Sequence, residues 1–473
     1  MDDRQAFPAS YGQERLWFMA RRDPDVPAYN LPMEMRVPPQ VDVALVTEAL
    51  RQVVGRHETL RTDFATDDDG RLRQVVHEAV PVVVEVADLR GQSDPDRALD
   101  DLRTRCRRTP FTLSEAPLWR VVLARLDGPE QRLLLVAHHA VCDAWSIGNL
   151  QLELEELFAA QRDGREPSLP ELEIQYVDYA VWQRRELATG DLAASVEHWR
   201  ERLAGLPDEV PVPSDRPRPA RPTHAGGEQH FTLPAETVAG LEVLARRHHT
   251  TTYTILLAGL KALLYRLSGQ RDVVVGSSVA GRSMPELEPL IGMFVNTLVL
   301  RTEIDGGAAF AELVDRLRDG LLADFEHQDV PFDRVVEAVA PTRDPARNPL
   351  YQIAFNRVPA EGVQLGTGTA KFDLLWEIDN RYQGRLEYSA DLFDPDTAAT
   401  LVRRYVRLLA AAVADPDRPV DRLPLLDEAE RRRLTGGGRH AARSAPVPFP
   451  ARFDEWVSRC PDAPAATDSR GGR

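Results

Sequence analysis

Residues 132–146 read RLLLVAHHAVCDAWS, and no other stretch constrains the fold as strongly. The short leucine- and valine-rich run reads as a strand. It delivers His138 and His139 to its end, and Asp143 follows four residues after His139. Ile147, Leu150, Leu154 and Leu157 then form a helical stripe, with Ser146 expected as its N-cap. A strand, a turn bearing two histidines and a helix are the parts of an α/β fold in which rigid elements hold reactive groups on a loop.

Histidine titrates near neutral pH and can take a proton from an attacking nucleophile. An aspartate nearby can orient the ring or lock the loop. On these residues alone the pattern fits a hydrogen-bonded structural pair as well as a general base. A metal site would need a third ligand. Cys142 invites a thiol nucleophile, against which stands the ordinary buried cysteine. His248-His249 lies in a helical run beside Arg246-Arg247 with no following aspartate, and reads as a helix face.

The rest of the chain repeats this α/β character. Residues 43–54 carry a helical apolar stripe, and 81–86 and 118–126 read as strands. Six prolines and a Gly-Gly pair between 206 and 229 mark a connector. Beyond it, 235–267 is mostly helical, 273–275, 297–302, 350–355, 372–378 and 384–389 read as strands, and 397–413 as an amphipathic helix. Residues 436–450 have linker composition, and a helix is expected to begin at Phe453.

Charge and cysteine content exclude whole classes. The 58 basic and 74 acidic residues leave a net charge of −16, which opposes nucleic-acid binding. Lys261 and Lys371 are the two lysines, the other basic residues being arginine. Cys106, Cys142 and Cys460 form no CxxC pair, so neither a zinc ribbon nor a disulfide framework is indicated. No apolar run reaches 18 residues and MDDRQAFPAS is no signal peptide, so no membrane span is expected and a cytoplasmic location is.

HHAVCDAWS resembles the HHxxxDG motif of the condensation domains of non-ribosomal peptide synthetases. Six further segments resemble that family's motifs in its order: ASYGQERLWFM, RHETLRTDF, YVDYAVWQ, IGMFVNTLVLR, HQDVPFDRVV and RDPARNPLYQ. LPLLDEAERRRL and FDEWVSRCPDAPAA resemble the linker and entry helix of a following adenylation domain, at whose start the chain is expected to stop. IGMFVNTLVLR matches condensing members better than epimerising ones. His139 stands where the oxygenase-recruiting relatives have lost the histidine.

The resemblance implies two chloramphenicol-acetyltransferase-like lobes forming a V-shaped pseudo-dimer, at 1–180 and 181–427, with 428–473 as linker and adenylation entry. It implies an acyltransferase that joins a donor acyl thioester to the amine of an acceptor aminoacyl thioester. Both would ride on phosphopantetheine arms of partner carrier domains, with no metal and no cofactor bound by this domain itself. With Met1 as the native start, the donor is expected on a separate protein. His139 is expected to accept or position the amine proton, with His138 beside it. Asp143 is expected to pair with Arg61 as structural support. Ala144, Trp145, Ser146 and Asn296 are candidate tunnel residues, Asn296 equally a packed, hydrogen-bonded side chain. His57 and Glu58 are expected to be exposed charges, and Tyr176, Tyr179 and Trp182 core. Alanine at 144, where the family has glycine, raises the alternative of a non-catalytic carrier-binding platform. An ester-forming or fatty-acylating starter member would carry the same histidines.

Overall fold

The computed structural model describes residues 5–190, 192–341, 344–358, 366, 368–436, 449–459 and 461. Cys460 and most of the linker-like stretch 436–450 lie outside these. The chain forms two compact units, Met1–Leu423 and Pro424–Arg473.

The strands, in chain order, are β1 (Gln5–Pro8), β2 (Asn30–Val37), β3 (Thr62–Thr66), β4 (Leu72–Val76), β5 (Val84–Asp88), β6 (Trp119–Arg125), β7 (Gln131–His138), β8 (Gly226–Thr232), β9 (Asp272–Val279), β10 (Asn296–Glu303), β11 (Ile353–Val358), β12 (Leu374–Asp379) and β13 (Gln383–Ser389). They form a four-stranded sheet β2-β7-β6-β5, a three-stranded sheet β1-β4-β3 and a six-stranded sheet β10-β9-β11-β12-β13-β8.

Strand β7 is apolar from Leu133 to Ala137 because it is central and covered on both sides. Leu133, Leu135 and Ala137 pack with Val46, Leu50, Leu150 and Leu154 of helices Val43–Arg56 and Ala144–Asp163. The alternate residues Leu134 and Val136 meet Leu99, Leu102 and Cys106 of helix Pro95–Arg108. β2 runs antiparallel to β7 along its whole length, pairing Asn30 with His138. The histidines therefore leave the sheet at a fixed register.

The six-stranded sheet is mixed, with parallel β9/β11 and β11/β12 pairs among antiparallel ones. Helix Thr252–Ser268 is buried from Thr254 through Leu264, as its all-round apolar sequence requires. Gly259 lets helix Pro395–Ala414 approach, since a Cβ there would sit 2.8 Å from Leu409 Cδ1. The helical stretch expected over 235–267 is two helices, broken where His248 ends the first and His249 takes φ +48°. His248 Nδ1 meets Asp315 Oδ1 at 2.9 Å, so this pair closes a helix end instead of lining a helix face.

Helix Tyr176–Thr189 runs through position 180, where the lobe boundary was expected, without a break. The segment between β9 and β10 crosses from the six-stranded sheet to the other half. Leu287, Leu290, Met293 and Phe294 pack there against Ala140, Val141, Tyr176 and Tyr179. Tyr176 hydroxyl donates to the Met293 carbonyl at 2.8 Å, and Thr59 Oγ1 to that of Ile291 at 2.9 Å. The second unit carries helices Glu428–Gly436 and Phe449–Arg459. Among the described residues no helix is long and apolar enough to cross a membrane.

Candidate active site

His138 ends β7 and is 5% exposed. Its N–H donates to the Leu118 carbonyl at 2.8 Å. Its Nδ1 accepts the Ala140 N–H at 3.1 Å, so the neutral ring carries its proton on Nε2. Burial, followed by the charges of His139 and Lys371, pushes its pKa down to about 3. Phe111 meets the ring edge-on. His138 is therefore a held, neutral ring.

His139 begins a tight turn. Its N–H donates to the Tyr29 carbonyl at 2.8 Å, and the Val141 and Cys142 N–H groups return to the carbonyls of 138 and 139. Its imidazole is different from that of His138: Nδ1 is buried and has no hydrogen-bond partner among the described residues. Burial, reinforced by Lys371 and Arg15 and opposed by Asp143, brings its pKa to about 4. At neutral pH this is an uncharged ring with a lone pair to offer.

Asp143 is the N-cap of helix Ala144–Asp163, its carboxylate accepting the Ser146 N–H at 2.8 Å. The cap expected at Ser146 is thus one turn earlier. Asp143 does not pair with Arg61. Arg282, from the crossing segment, donates Nη1 to Oδ2 at 2.9 Å and Nη2 to Oδ1 at 3.1 Å. The Ser146 hydroxyl and the Phe294 N–H complete five donors, at 2.7 and 3.0 Å. Burial alone would raise the Asp143 pKa; the Arg282 charge and these hydrogen bonds outweigh it and hold the carboxyl below its ordinary value. Arg61 lies elsewhere, donating to the His77 carbonyl at 2.6 Å and to Glu58 at 3.4 Å. The physical reason is placement: Arg61 ends a short turn that hands the chain to β3, and its guanidinium is taken up by β4's exit.

The arginine that pairs with Asp143 is not among the residues the sequence pattern singles out. Arg282 follows Gly281, whose φ of +64° turns the chain out of β9 and whose absent Cβ would lie 2.0 Å from the Phe294 carbonyl oxygen. A Gly-Arg step after a β-branched run is the signal that was available. Arg282 also lies 4.2 Å from the Phe294 ring centroid.

The candidate tunnel residues divide. Ala144 is the first helical residue, exposed and without a positive φ. Trp145 is 45% exposed and donates Nε1 to the Glu288 carbonyl at 3.0 Å. Ser146 is fully buried and belongs to the Asp143–Arg282 latch, a correction to its expected place in a tunnel wall. Asn296 donates to the carbonyls of Gln328 and Val330 at 2.8 and 2.7 Å and accepts the Phe332 N–H at 3.0 Å, fixing the HQDVPF turn. It also borders a cavity of about 30 Å³ with Arg15, Trp182 and Phe332. His57 is buried, not exposed: its Nε2 stands 3.0 Å from both Glu153 oxygens, and Arg56 joins them. Burial raises the Cys142 thiol well above its ordinary pKa, assisted by Asp143, which disfavours a thiolate.

A second cavity, of about 130 Å³, reaches the end of β7. His138, Tyr29, Asn30, Phe111 and Lys371 are in its wall. Among the described residues no group of three or more His, Cys, Asp or Glu is placed to hold a metal.

Mixed sheets flanked by helices, a histidine pair at the end of β7 and a latch from the crossing segment define a chloramphenicol-acetyltransferase-like fold. The Condensation domain profile matches residues 3–435, and the chain belongs to the condensation-domain family of non-ribosomal peptide synthetases. It is 38% identical over 496 residues to phosphinothricin tripeptide synthetase PhsB of Streptomyces viridochromogenes, covering 100% of this chain and 42% of that one. It is 36% identical over 486 residues to a dimodular nonribosomal peptide synthase of Bacillus subtilis, covering 97% and 20%. The chain thus spans less than half the length of either relative. It superposes on the X-domain of teicoplanin biosynthesis, solved with OxyB, with a TM-score of 0.80 at 29% identity, covering 90% and 97%. The first condensation domain of the calcium-dependent antibiotic synthetase shares the fold, with a TM-score of 0.76 at 24% identity, covering 90% and 100%.

Proposed function

We propose that this domain forms an amide bond between a donor acyl thioester and the amine of an acceptor aminoacyl thioester, each delivered on the phosphopantetheine arm of a carrier domain. The amine nitrogen attacks the donor carbonyl carbon, the C–N bond forms, the C–S bond breaks, and the amine proton passes to the leaving thiolate. His139 is the group that takes or positions that proton, with His138 holding the turn. The observation that carries this reading is the His139 ring itself: neutral at pH 7, with an Nδ1 that no group among the described residues occupies. A basicity as low as this favours positioning the amine through a hydrogen bond over full proton removal. Asp143 and Arg282 hold the turn and do not touch substrate. Carrier domains and an adjacent adenylation domain as partners, and a cytoplasmic setting, belong to the same reading, which rests on the likeness to peptide synthetases.

A carrier-binding platform without chemistry is the competing reading, favoured by the likeness to the X-domain. Donor and acceptor carriers loaded with a panel of acyl and aminoacyl groups separate the two. Condensed thioester on the acceptor carrier, lost in His139→Ala, supports the enzyme; none with any pair supports the platform.

A further inference from the structure

The larger cavity is lined by charged residues that are mostly paired, the exceptions being Asp391, whose carboxylate accepts from the Thr223 N–H and hydroxyl, and Lys371. Arg218 is paired with Asp373, Arg22 with Asp23, and Arg347 with Asp344. Lys371 has no carboxylate within ion-pair distance of its ammonium among the described residues. Its backbone is fixed: the carbonyl accepts Asn348 Nδ2 at 2.7 Å, and the N–H donates to Glu387 Oε1 at 3.3 Å. The ammonium stands 5.4 Å from the Tyr29 ring centroid. Tyr29 in turn accepts the His139 N–H, so the cation and the histidine turn share one residue.

The acids that face Lys371 are committed elsewhere. Glu377 is bound by Arg385, and Glu387, taken up by the Lys371 backbone, is pushed toward its neutral form by burial. Burial lowers the Lys371 pKa and the charges of Glu387 and Glu377 oppose this only in part, so an ammonium with no carboxylate in direct contact is costly to keep. The chain keeps it although nearly every other cation is an arginine. An aromatic face repays part of the cost; an incoming anion would repay the rest through a charge-assisted hydrogen bond.

We propose that Lys371 is a specificity-determining residue that binds a carboxylate borne by one of the carried acyl groups, so that this domain selects a substrate with an acidic substituent. The inference rests on the condensation reading above, and its test is independent of turnover. Succinyl-pantetheine and its isosteric amide, succinamoyl-pantetheine, differ in charge and scarcely in shape. Calorimetric titration of the full chain at pH 7.5 should show the carboxylate bound at least tenfold more tightly. In Lys371→Met that ratio should fall to near one, while Lys371→Arg should keep most of it; melting curves on each variant report folding. His139→Ala should preserve the ratio.

Equal affinity of the two probes in the wild type, a ratio that survives Lys371→Met, or failure of both probes to bind would overturn the proposal. Preserved discrimination with no condensation between any loaded carriers would leave the anion site standing and remove the catalytic reading. Condensation without discrimination would do the reverse.

Discussion

Arg282 closes both terminal nitrogens of its guanidinium on Asp143, the residue that caps the helix behind His139, and both side chains are almost wholly buried. One segment of the six-stranded half thereby holds the histidine turn of the other half. Removing either partner leaves an orphaned buried charge, which typically costs ~3–5 kcal/mol. Asp143→Asn and Arg282→Met should each lower the melting temperature markedly. The double variant should lose much less than the sum. Arg61→Ala should be mild and additive with Asp143→Asn; coupling of Arg61 to Asp143 in a double-mutant cycle would contradict the observed pairing.

Both histidines have folded pKa values depressed from the ordinary 6.5, to about 3 and about 4. The unfolded chain therefore binds more protons below pH 6.5, and stability is lost as pH falls. The histidines' contribution is complete above 6.5 and declines progressively through 4. His139→Gln removes one of these titrations and should flatten the decline, by roughly 2–3 kcal/mol at pH 4.5. Urea melts at pH 7.5 and 4.5 measure it; parallel curves for the two proteins would show His139 to be protonatable in the fold at ordinary cost.

Ala144 replaces the family's glycine without backbone strain, because it opens the helix with an ordinary negative φ and is exposed. Ala144→Gly should change stability by no more than about 1 kcal/mol and leave the condensation rate within a few-fold. A hundredfold gain on restoring glycine would mean that the alanine impairs the site.

Gly281 is the reverse case. With φ +64° and a neighbouring carbonyl where its Cβ would be, Gly281→Ala must displace the crossing segment. The left-handed backbone alone costs roughly 1–2 kcal/mol, and the clash adds to it. A melting temperature unchanged from wild type would contradict the described turn.

The histidine turn was legible because its signals are local: an unbroken apolar run, two histidines and a following helical stripe. Arg282 was not, since it lies 139 residues from Asp143 among dozens of arginines, and only tertiary packing joins them. Strand β2 is weakly signalled although Leu31, Met33, Met35 and Val37 alternate with Pro32, Glu34 and Arg36 and are all buried; methionine and Pro32 dilute the β signal. His57 was misread because Glu153, its partner, sits on a helix read only for its apolar stripe. Asn296 had two readings of equal weight, and its three hydrogen bonds to one turn favour the structural one.

Single-turnover condensation with loaded donor and acceptor carriers, comparing wild type with His139→Ala, bears most directly on the central claim. The wild type should transfer the acyl group to the acceptor amine. The variant should melt normally at pH 7.5 and run ~10²–10⁴-fold slower, the usual worth of a positioned acid–base group. A well-folded His139→Ala protein with near-wild-type rate would contradict the account and leave the domain as a scaffold that acts by proximity alone.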